Sequence, residues 1–62
     1  MWYYVVNLYK GSYSLEGKYK RRDSADRRTE KIQGGETSVF ASYSEDPRVV
    51  VEEFKAEEVG RL

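Results

Sequence analysis

Residues 2 to 9, Trp-Tyr-Tyr-Val-Val-Asn-Leu-Tyr, are aromatic and β-branched with no breaker, which predicts a strand. Lys10-Gly11-Ser12 supplies turn chemistry. Residues 13 to 20 then alternate, with Tyr13, Leu15, Gly17 and Tyr19 on one face and Ser14, Glu16, Lys18 and Lys20 on the other. A two-residue Lys10-Gly11 loop sets Leu8 opposite Tyr13, Val6 opposite Leu15, Tyr4 opposite Gly17 and Trp2 opposite Tyr19. Every apolar residue of the second strand then meets the Trp2/Tyr4/Val6/Leu8 face of the first, whereas a three-residue loop would turn them all to the wrong side. The first strand also carries Tyr3, Val5 and Tyr9 on its other face. A strand apolar on both sides belongs in the middle of a sheet with both faces covered, by another element, a partner or a second copy.

Residues 20 to 33 differ in kind, because Ile32 is the only large apolar residue among them. No helical face can be drawn through them, although Asp23 or Ser24 would cap a short helix. Pairing as a strand through Gly34-Gly35 would set Arg28 against Ala41 and Glu30 against Val39, a poor match. The pattern therefore predicts an exposed arm or an extended hairpin edge, mobile at its tip.

Residues 36 to 44 read as the next strand, with Thr37, Val39, Ala41 and Tyr43 pointing one way and Phe40 the other. Val49-Val50-Val51 suits a last strand. Asp46 at an N-cap, Pro47 at the first helical position and Gly60 past the end are helix punctuation, and they favour a helix over 47–59. Val50, Val51 and Phe54 share its apolar sector with Val59 at the edge, and Leu62 is placed for a C-cap contact. The expected fold is α+β: a small antiparallel β-sheet, formed by the N-terminal hairpin plus one or two further strands, with a C-terminal helix.

Composition narrows what such a domain does. Sixty-two residues make one domain, 1–62, with little core to spare. The chain has neither Cys nor His, which removes disulfides and the commonest zinc ligands, so self-association is the means of stabilisation left open. No cofactor or metal site is expected, and no base or nucleophile suited to neutral pH presents itself, so the chain reads as a non-enzyme. Eleven basic residues balance eleven acidic ones, which gives no long-range pull toward nucleic acid or an anionic membrane. No apolar run approaches a membrane span, and Met1-Trp2-Tyr3-Tyr4 lacks the marks of a signal peptide, so a cytoplasmic location is expected. The scarcity of Asn, Gln, Met and Cys beside abundant Glu, Lys and Arg fits a hot environment.

Three features are candidates for binding. The surplus aromatics Tyr3, Val5 and Tyr9, with Phe40, suit a docking face for a protein partner or for a homo-oligomer. The basic residues Lys18, Lys20, Arg21, Arg22, Arg27, Arg28 and Lys31 suit phosphate contacts beside sheet tyrosines, the alternative being a nucleic-acid-binding module. Interleaved Asp23, Asp26 and Glu30 dilute that patch, and a solvated loop explains it better. The acidic segment 45–62 is in large part an ordinary salt-bridged helix surface, with Glu52 spaced for Lys55 and Glu57 for Arg61. The leading expectation is a small binding module acting through protein–protein contacts.

Overall fold

Lys10 and Gly11 both adopt positive φ, 51° and 80°, which is the type I′ turn that matches the twist of a two-residue hairpin. This turn joins β1 (Trp2–Tyr9) to β2 (Ser12–Tyr19), with Leu8 opposite Tyr13 and Val6 opposite Leu15 as the alternation requires. Beyond Val6 the register shifts by one, so Glu16 bulges and Gly17 falls opposite Val5, Lys18 opposite Tyr4 and Tyr19 opposite Tyr3. The expected pairs of Tyr4 with Gly17 and Trp2 with Tyr19 are thereby corrected. A bulge inserts one residue and turns every later side chain to the other face. The Tyr19 ring folds back over Gly17, so a side chain there would have to displace the ring.

The computed structural model describes residues 1–60, the side chain of Val59 excepted. The third strand, β3 (Glu36–Ser42), pairs antiparallel with β1 from Trp2–Ser42 to Leu8–Glu36, giving the order β2-β1-β3. The doubly apolar strand is therefore central, as its pattern demands, and it holds the core: Tyr4, Val5 and Val6 are almost wholly buried.

Residues 22–31 are not an exposed arm. They form α1 (Arg22–Lys31), which packs against all three strands. Ala25, Arg28 and Thr29 follow the i, i+3, i+4 spacing of a helix face and are buried or half-buried, as are Ser24 and, at the C-cap just past the helix, Ile32. Ala25 is fully buried and small enough to bring the helix axis close to the sheet. The long Arg28 stem lies half-buried, as cationic side chains do when they cover apolar surface. The N-cap is Arg21, which makes no side-chain capping bond, rather than Asp23 or Ser24. Gly34 and Gly35, at φ 89° and 82°, lead into β3 rather than forming a hairpin turn.

The C-terminal helix is α2 (Pro47–Gly60). Asp46 caps it, its carboxylate accepting from the Arg48 N–H at 3.0 Å and its carbonyl from the Val50 N–H at 3.1 Å. Gly60 lies within the helix and not past its end; the contacts expected of Val59, Arg61 and Leu62 fall outside the described residues. Val50 and Phe54 bury themselves on the Tyr4/Val6/Leu8 face, where the Phe54 ring meets Tyr13 and Phe40 edge-on, each at 5.5 Å between centroids. The sheet is thus covered on one face by α2 and, since α1 also packs on all three strands, on the other by α1. Among the described residues no helix is long and apolar enough to cross a membrane.

Candidate protein-docking surface

The α1 helix takes the place that the sequence left for a partner. Val5 is 0% exposed beneath it and belongs to the core, while Tyr3 is half-buried. Phe40 is half-buried against Phe54 on the opposite face. Tyr9 remains 51% exposed at the end of β1, its ring lying against Gly34 with the Lys10 ammonium 5.4 Å from its centroid. The structure does not bring Tyr3, Val5, Tyr9 and Phe40 together on one surface.

The basic residues are likewise dispersed. Lys18 and Lys20 sit over the Trp2 ring, at 4.1 and 5.7 Å from its centroid, and Lys18 also bonds Glu45 at 3.2 Å. Arg21 pairs with Asp23 at 3.2 Å. Arg22, Arg27 and Lys31 are exposed on α1 among Asp23, Asp26 and Glu30, so the outer face of that helix is charge-balanced. Arg28 is half-buried on the same helix.

Two grooves flank α2 on the β2 side. One, of about 430 Å³, is lined by Tyr13, Leu15, Pro47 and Val51 with Arg48 and Glu52 at its rim. Its neighbour, of about 380 Å³, adds Tyr4, Gly17, Lys18 and Glu45. A third space beside Phe54, of about 50 Å³, is sized for water rather than for a metabolite. Among the described residues no group of three or more His, Cys, Asp or Glu side chains gathers in a metal-binding arrangement.

The two sheet edges differ sharply. The β2 edge carries the Glu16 bulge, Lys18 and, just beyond it, Lys20, devices that keep another strand from adding to it. The β3 edge has none of these. From Thr37 to Ser44 the sequence Thr-Ser-Val-Phe-Ala-Ser-Tyr-Ser holds no charge and no proline, in a chain that is 35% charged. The only comparable uncharged run, residues 1 to 9, holds the central strand. β3 pairs with β1 in unbroken register, and its outer side is unpaired. Tyr43, which follows it, is 80% exposed and is the most exposed large apolar residue described. The candidate surface is therefore the β3 edge with Tyr43 and Tyr9 at its two ends. Tyr43 was legible only as a strand residue, but the eight-residue uncharged run was a signal available in the sequence. Comparison with protein-family models, curated proteins and solved structures finds no match to this chain.

Proposed function

We propose that this protein is a small non-enzymatic binding module that acts through protein–protein contacts made at the β3 edge. The observation that carries this reading is a strand of central-strand composition lying at an undefended edge, with a tyrosine 80% exposed at its end. An added strand would satisfy the outward backbone N–H and C=O groups of Thr37–Ser42, and exposed tyrosine would supply amphipathic contact area. Affinity capture from cells that express the chain tests this, wild type against Ala41→Lys and Tyr43→Ala. Ala41 is exposed on β3, so the lysine disturbs the edge and not the core. A protein retained by the wild type and lost by both variants supports the reading; partners that both variants keep would overturn it.

A second reading rests on the Trp2, Lys18 and Lys20 cluster, where an indole and two ammonium groups meet at one end of the sheet. Such a group suits a stacked base beside phosphate. It is the weaker reading because Glu45 already occupies Lys18 and Asp23 occupies Arg21. Titration of a labelled single-stranded oligonucleotide at low and moderate salt decides it: binding that falls steeply with salt and with Lys20→Ala favours nucleic acid.

A further inference from the structure

We infer that the strand that completes the β3 edge is β3 of a second copy, so that two chains form a two-fold dimer around one continuous six-stranded sheet. The inference rests on the docking reading above and names its partner. An antiparallel pair centred on Val39 sets Val39 against Val39, Ser38 against Phe40, Thr37 against Ala41 and Glu36 against Ser42, using the whole strand. The axis stands perpendicular to the sheet, so each face continues unbroken: α2 helices on one side, α1 helices on the other.

Four features favour a second copy over a foreign strand. The pairing is self-complementary, since it opposes no two charges and sets uncharged side chains against one another except at the Glu36–Ser42 ends. The half-buried Thr37, Val39 and Phe40 gain same-face neighbours that β1 alone does not provide. The register also carries Tyr43 of each copy to the level of the other copy's Gly34–Gly35 turn, beside the Tyr9 ring that lies against Gly34. The two exposed tyrosines of the molecule thus meet at both ends of one interface. Finally, zero net charge leaves two copies without mutual repulsion, and a chain of this size with six buried apolar residues among those described stands to gain from further burial.

Sedimentation equilibrium of the intact chain from low to high micromolar concentration tests the inference. The expected result is a mass rising from 7.3 kDa to twice that value, with Ala41→Lys remaining at the lower mass and keeping its far-UV spectrum. A chain without cysteine permits a second test that does not depend on Ala41→Lys folding. Val39→Cys lies on the axis and is expected to oxidise to a covalent dimer, because directly opposed Cα atoms are about 4.5–5.5 Å apart, within disulfide reach. Thr37→Cys should form no covalent dimer under the same oxidation, since its two copies stand about 13 Å out of register at ~3.3 Å per residue. A strict monomer, or a dimer that Ala41→Lys leaves intact and Val39→Cys does not cross-link, would overturn the inference. If the chain is monomeric while a foreign protein still loses binding on Ala41→Lys, the docking reading stands and only the second copy falls. If neither a copy nor a foreign protein uses the edge, both fall.

Discussion

Among the described residues Lys10 is the one residue other than glycine held at positive φ, in a turn whose first position favours Asn. A left-handed backbone costs a side-chain-bearing residue about 1–2 kcal/mol, and Asn tolerates it best. The Lys10 contact with the Tyr9 ring is exposed and worth about 0.5 kcal/mol, so backbone relief outweighs it. Lys10→Asn is therefore expected to stabilise the protein by roughly 0.5–1 kcal/mol in urea unfolding. The two turn glycines should behave differently from each other. A methyl group at Gly11 meets open space, so Gly11→Ala bears only the backbone penalty, about 1 kcal/mol. At Gly35 the same group meets the Asn7 side chain and the Leu8 carbonyl oxygen. Gly35→Ala should destabilise by about 1–3 kcal/mol more than Gly11→Ala under the same denaturant. Asn7, 7% exposed, donates to the Gly34 carbonyl at 3.3 Å, which ties that turn to the central strand.

At the scale of elements, the connection from β3 to α2 is held by a relay of hydroxyls. Ser42, 3% exposed, donates to the Glu53 carboxylate at 2.7 Å and accepts from the Ser44 N–H at 3.1 Å. The buried Tyr4 hydroxyl donates to the Ser44 carbonyl at 2.6 Å, and Ser44 in turn accepts from the Asp46 N–H at 3.1 Å. Removing the central hydroxyl takes a partner from the part-buried Ser44 N–H and from the carboxylate of exposed Glu53, which water can satisfy, so Ser42→Ala should cost about 0.5–1.5 kcal/mol, read in thermal and denaturant unfolding. For α1 the weak point is its start, where Arg21 makes no side-chain capping bond. Arg21→Ser is expected to stabilise by about 0.5–1 kcal/mol, since a cap contributes ~1 kcal/mol and the exposed Arg21–Asp23 pair contributes less. The hairpin turn, the central place of β1 and the N-terminus of α2 were legible because alternation, turn residues and cap residues each mark them locally. α1 was not legible, because its less exposed positions Ala25, Arg28 and Thr29 hold no large apolar side chain and Ile32 follows only at the C-cap. The periodicity is present in positions and absent in hydrophobicity. The Glu16 bulge was hidden for a related reason: the alternation through Gly17 and Tyr19 continues past it without a break.

The whole molecule shows why the candidate surface moved. Tyr3, Val5 and Tyr9 stood as surplus apolar residues while residues 22–31 were read as an arm; once those residues form α1, Val5 is core and Tyr3 half-buried, and only Tyr9 stays exposed. What remains open is an edge rather than a face. A strand's place in the sheet depends on long-range pairing, which no local pattern reports, so β3 could be recognised as a strand from sequence but not as an edge. In the proposed dimer β3, and not β2, receives another strand from a second copy. Residue-resolved amide hydrogen exchange across a concentration series measures this most directly. The expected result is that amides of Thr37–Ser42 pointing away from β1 become protected as concentration rises, while the outward amides of β2 exchange at an unchanged rate. Protection that does not change with concentration, or that appears on β2 in place of β3, would contradict it.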